Sequence, residues 1–389
     1  MIPKIMIESI SLSTFLTINY IFLIKYGPQI TSYYWTLLPI YTFFVLLSIK
    51  GLNYFSRRLS IKPFLLVGII CLFFTTAYLL LLNKIDPLTI NVDRRSAITT
   101  FNTYLLSGEY PYLGKSHLGN PISGFPGLFI VSMPFQLMGD IGYFQVFSFL
   151  CFGFLVYKKY NVLSHRMLSL FLLGTSPIFL WEVAARSELF SNMILLLLFI
   201  FVCESVRGRK TYKNMILCGI VAGIIFSTRG IMLIPFIIYF TRYFKNNELK
   251  YALTFFLFLI SIFSATILPF FLWDAELFLQ HNPLFVQSFK IPKFLLIVVI
   301  IASLIAGIFT RGFEKFLLHT GYIIFITICI VFLLTVAKYG WTQTIYHHQF
   351  DISYFQFSTP FLLLLLFPGS IQNPLFDISC VFEYKSLNP

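Results

Sequence analysis

Asp93 is the carboxylate best placed for chemistry in this sequence. It follows the apolar segment from Phe64 to Leu82 and opens the stretch 91–133, the one long interval between apolar runs in which charge, glycine, proline and hydroxyl groups concentrate. A carboxylate held there, at the end of an apolar helix, can act as a general base toward a hydroxyl. It can equally be the N-cap of the next helix, which stabilises a helix by about 0.5–2 kcal/mol. The two roles are compatible.

Arginines offer the complementary chemistry, because a planar guanidinium recognises phosphate and stabilises charge developing on a leaving group. Arg229, in FSTRGIML, and Arg186, in WEVAARSELFSN, both fall at helix ends. A tight hairpin that exposes Arg229 favours a ligand role for it. For Arg186 a structural ion pair with neighbouring Glu188 weighs equally, and either arginine is also explained by snorkelling to the interface. Arg94 and Arg95 are further phosphate candidates, although anionic headgroups would satisfy them as well.

Two later loops add polar groups. Asp274, Glu276, His281 and Asn282 lie in 273–290, an amphipathic segment that suits a cover hydrogen-bonding sugar hydroxyls, or an ordinary surface helix. KYGWTQTIYHHQFD gathers His347, His348 and Asp351. Adjacent histidines on a helix point apart, so a metal centre fits less well than phosphate or sugar recognition, and a polar helix cap fits better still. The sequence singles out no cofactor, and a divalent metal stays open. Trp181, Trp273 and Trp341 all fall in outer loops, where stacking on a sugar is possible.

The elements that must position these residues are membrane helices. Of 389 residues, 58% are hydrophobic and 11% charged, with a mean hydropathy of +0.84, too little polar surface for a soluble domain. The apolar runs are continuous, which excludes a β-barrel. They fall near 10–24, 34–49, 64–82, 142–157, 167–181, 189–204, 214–227, 231–243, 251–272, 293–309, 318–337 and 353–368. This predicts an all-α, polytopic protein of about twelve transmembrane helices in a single domain over 1–389. The first run is read as a membrane helix and not as a removable signal peptide. With a cytoplasmic N-terminus, 18 of the 28 basic residues lie inside, in dense clusters, and nine of the 15 acidic residues lie outside. The positive balance therefore reports orientation and gives no reason to invoke nucleic acid. The longer polar loops then share the outer face, led by the loop at about 83–141, and a short tail over about 369–389 is cytoplasmic. Keeping the cluster of Lys158, Lys159 and Arg166 inside requires FPGLFIVSMPFQLM, 126–139, to be an interfacial or re-entrant helix interrupted by Pro134. Within the large loop, Ala97, Ile98, Phe101, Tyr104 and Leu105 recur at helical spacing, predicting an amphipathic surface helix that Gly108 can end. The six cysteines show no paired spacing and read as small core residues.

In order and position, the loop resembles the first external loop of the GT-C class of integral-membrane glycosyltransferases: an acidic residue after an early membrane helix, a surface helix, a segment such as LLSGEYPYLG, then an aromatic-proline stretch such as GFPGLF. Two departures stand out: Asp93 is followed by two arginines, and GFPG has one proline where many relatives have a pair. The resemblance implies a polyprenyl-phosphate-linked sugar as donor, with a mannose-like hexose passing to a glycan, glycolipid or protein acceptor outside the cytoplasmic membrane. Asp93 would take the acceptor proton. Arg94, Glu109, Tyr112, Arg186, Glu188, Arg229, His281, His347, His348 and Asp351 would be the candidates for substrate binding. A transporter or flippase of a lipid-linked saccharide is the alternative from another class. Its ionisable residues would be expected near mid-membrane, in repeated halves, whereas here they cluster at helix ends. An envelope polysaccharide polymerase or ligase, which would use late arginine and histidine, is kept open by His347, His348 and Asp351. No Walker loop, dinucleotide fingerprint or zinc-protease motif is present.

Overall fold

A computed structural model of the chain describes residues 3–206, 211–245, 248–288, 291–347 and 349–368. The tail expected over 369–389 and His348 lie outside the described residues. The elements run in chain order α1 Lys4–Tyr26, α2 Leu37–Ser56, α3 Pro63–Lys84, α4 Arg94–Ser107, α5 Pro126–Leu137, α6 Tyr143–Lys159, α7 Leu163–Gly174, α8 Pro177–Ala185 and α9 Leu189–Val206, then α10 Tyr212–Phe226, α11 Leu233–Lys245, α12 Leu249–Trp273, α13 Ala275–Gln280, α14 Pro283–Ser288, α15 Lys293–Phe309, α16 Phe313–Tyr339, α17 Trp341–Ile345 and α18 Thr359–Leu364, with short 3-10 turns between. Among the described residues there is no strand, only an isolated bridge between Lys115 and Pro121. The protein is all-α.

Five of the helical segments are long and apolar enough to cross a membrane: Lys4–Gln29, Tyr34–Ser56, Pro63–Lys84, Leu249–Trp273 and Phe313–Tyr339. The bent pair α7 and α8, 54° apart, would make a sixth. Their outer faces carry Phe43, Leu72, Phe73, Leu257 and Leu333, all well exposed. Contiguous apolar surface on that scale suits lipid and not water, so the chain is of the multi-pass membrane type. The run at 353–368 is not one rod. It breaks into a 3-10 turn over Ile352–Phe357 and the six-residue α18, both buried among the other helices, because Ser358 and Pro360 interrupt it.

The large loop folds as predicted in part. α4 ends at Gly108, in the left-handed region at φ 76°, where a Cβ would be strained. α5, however, is not broken at Pro134, which lies inside an unbroken Pro126–Leu137 helix. The buried face of α4, Ile98 and Phe101, meets Tyr112, Leu128, Phe129, Phe270 and Phe278 in a core separate from that of the helix bundle. Phe101 and Phe129 stack with centroids 3.5 Å apart. The loop thus has a rigid floor of its own, lent by α12 and α13.

GFPG fixes where α5 meets the bundle. A Cβ on Gly127 would stand 2.5 Å from the carbonyl oxygens of Ile224 and Ser227, so only glycine lets α5 approach the end of α10. Gly127→Ala is expected to cost about 1–3 kcal/mol of stability through overpacking against backbone that cannot yield, read as a lowered thermal midpoint in detergent.

Candidate functional site

Asp93 occupies the N-cap position of α4, yet its carboxylate makes no cap hydrogen bond. Instead Oδ2 accepts from the Ser116 hydroxyl and from the Asn120 amide, both at 2.7 Å. Oδ1 accepts none among the described residues. Ser96, inside the first turn, donates to the Asp93 carbonyl at 2.9 Å and contacts His117 Nδ1 at 2.7 Å. Half-buried Asp93 is therefore aimed by the loop 114–122, with one oxygen held and one open.

Arg94 points the other way and is buried. Its Nη1 donates to the hydroxyls of Ser187 and Ser353, each at 2.8 Å, and Nη2 pairs with Asp351 at 2.5 Å. The guanidinium also lies over the Tyr354 ring, 5.3 Å from its centroid. Residues more than 250 positions apart are thereby joined. Burial by itself would raise the Asp351 carboxyl, but Arg94, the Ser353 hydroxyl and Lys25 outweigh it and hold the group below the ordinary carboxylate range.

Glu188 does not pair with Arg186. Fully buried, it receives Nε of Arg229 at 3.0 Å and a second contact from Nη2. Arg229, expected exposed at its hairpin, is folded inward with a side chain 12% exposed, because only a cation there neutralises the buried carboxylate. Its Nη1 reaches the Ser123 hydroxyl at 3.3 Å. Arg186 has other work: it pairs with Asp140 at 3.1 Å and donates to the carbonyls of Leu82, Ile85 and Ala184 at 2.6–2.7 Å. That stitches the end of α3 to the end of α8 and holds Arg186 itself at φ 51°, leaving no donor for a ligand.

The loop 114–125 thus carries Asp93 at one end, through Ser116 and Asn120, and Arg229 at the other, through Ser123. The segment 273–288 is tied to it by Gln287, which donates to the Ser123 carbonyl at 2.5 Å and accepts from the Gly230 amide at 2.8 Å. Other expected contacts lie elsewhere. Tyr112 is buried in the loop core with its hydroxyl on the Gly124 carbonyl, Glu109 and His347 are exposed, and half-buried His281 ends α13. Asp274 caps α13 through the Leu277 amide. Among the described residues no three His, Cys, Asp or Glu are grouped to hold a metal ion.

Behind Glu188 lies a polar interior that periodicity did not reveal. Glu182 accepts from the Phe190 amide at 2.7 Å, and Gln145 donates to the Ser187 carbonyl at 2.6 Å. Yet among the described residues one oxygen each of Glu182, Glu188 and Gln145, the Ser191 hydroxyl and both amide atoms of Asn192 are buried without a partner. Buried polar groups are rarely left so. Glu188, Ser191 and Asn192 at i, i+3 and i+4 were the available signal.

Fold and site together define a helical multi-pass membrane protein with a structured loop that joins a carboxylate to an arginine pair. Compared with protein-family models, curated proteins and solved structures, the chain matches none.

Removing Arg229 should strand a buried carboxylate. Arg229→Met is expected to destabilise by about 3–5 kcal/mol, and adding Glu188→Gln should recover much of it, as a double-mutant cycle on thermal midpoints would show. For Asp351, a depressed native pKa means stability present above the ordinary carboxylate range and lost as pH falls through it. The midpoint gap between wild type and Asp351→Asn should be full at neutral pH and close in acid; an unchanged gap would remove the Arg94 pair from the ledger.

Proposed function

We propose that this protein is an inverting, GT-C-like glycosyltransferase, moving a mannose-like hexose from a polyprenyl-phosphate donor to an acceptor hydroxyl. The reading places the site outside the cytoplasmic membrane, with both termini cytoplasmic and about twelve spans. The observation that carries it is Asp93, whose Oδ2 is fixed by Ser116 and Asn120 while Oδ1 has no partner among the described residues. Held in this way, a carboxylate is pre-oriented as a base.

In the proposed reaction the acceptor oxygen attacks the anomeric carbon as its proton passes to Asp93. The bond from that carbon to the lipid phosphate breaks, and the electron pair leaves with the phosphate. Arg229, partly exposed and anchored by Glu188, is the cation assigned to the leaving group. Arg94 acts one step back, ordering the start of α4 from Asp351 and the two serines.

A second reading has one observation in its favour. α8 and α9 are interrupted at 186–188, with Glu182, Glu188 and Asn192 buried around the break, an arrangement that transporters use for their binding sites. A lipid-linked-saccharide flippase would exploit it.

The two part in one assay. Purified protein in lipid is offered a panel of polyprenyl-phosphate sugars. Wild type should release polyprenyl phosphate, and Asp93→Asn, folded and inserted, should lose about 10²–10⁴-fold of that rate. Equal transfer by both proteins would sink Asp93 as the base. Transfer by neither, with flipping of the same lipid in vesicles, would favour the flippase.

A further inference from the structure

A cavity of about 480 Å³ opens at the far end of the bundle, where the C-terminal end of α2 faces the start of α7. Its polar lining is Asn53, Ser56, Arg57, Ser164 and His165. No carboxylate lines it, and the Arg57 guanidinium has no ion-pair or hydrogen-bond partner among the described residues. Ser164, 8% exposed, lines the same cavity.

The chemistry converging here is that of an anion. Arg57 supplies a fixed charge and a fork of donors, Ser164 and Ser56 supply hydroxyls, and His165 supplies a ring nitrogen. The amides of the first turn of α7 face the same end and complement them. The depth is equally specific, since the cavity lies where the membrane-length helix α2 ends and just before α3 begins. Arg58, Lys62 and Lys158 belong to the adjoining turns, which the charge distribution assigns to the cytoplasm. We infer that this cavity binds a phosphate group, presented by an anionic phospholipid headgroup of the cytoplasmic leaflet. The inference rests on the orientation read from the charge distribution and does not rest on glycosyl transfer.

The test is native mass spectrometry of the full chain released from zwitterionic detergent, after exchange against phosphatidylglycerol, phosphatidylcholine or inorganic phosphate. Wild type should keep phosphatidylglycerol in preference to phosphatidylcholine. Arg57→Ala and Ser164→Val should each lose that retained lipid, while Arg57→Lys keeps part of it. Thermal midpoints equal to wild type in lipid-free detergent establish that the variants are folded, a safe expectation for exposed Arg57. Retention of inorganic phosphate alone would support the site and assign it a soluble source. Equal retention of phosphatidylglycerol by wild type and both loss variants would overturn the inference.

Discussion

The site depends on the burial of Arg94. A guanidinium out of water needs compensation for lost hydration, and it obtains that from Ser187, Ser353 and Asp351 at once. These come from the break between α8 and α9 and from the turn after α17. One side chain therefore fixes the start of α4 against two remote parts of the bundle. Asp93, next in sequence, turns toward the other side of that anchored helix end, so its direction is a consequence of where Arg94 must go.

A second constraint acts on the hairpin between α10 and α11. Glu188 is wholly enclosed, and Arg229 must stay beside it. The same hairpin meets α5 through Gly127, whose amide donates to the Ser227 hydroxyl at 3.1 Å, and Ser123 touches Arg229. The loop carrying Asn120 and Ser116 is thus pinned at both ends, one to the buried ion pair and one to the loop core of Phe101 and Phe129. That gives a carboxylate in a nominal surface loop the fixed aim expected of a base.

The interior behind Glu188 has a different character. Among the described residues Glu182, Ser191, Asn192 and Gln145 retain unpaired polar atoms, within a bundle otherwise dense with phenylalanine and leucine. Such groups are what a hydrated or mobile region would satisfy, and they lie directly beneath the pair that holds Arg229. The break between α8 and α9 thus borders the proposed site on one side and a polar interior on the other.

Much was legible without a structure. Continuous apolar runs determined an all-α chain of the membrane type, because only a helix satisfies its own backbone in lipid. Helical spacing located α4, and Gly108 its end. The turn-rich interval marked Asp93 as the residue to watch. Partner choice was not legible. Glu188 lies beside Arg186 in sequence and pairs with Arg229; Arg94 reaches Asp351; Tyr112 fills a core; Pro134 sits inside a helix. Each outcome is set by which groups are buried together, and burial belongs to the packed bundle. Sequence fixes local periodicity and where charge may end a helix. Which charges must neutralise one another is decided only when tertiary packing removes water from between them.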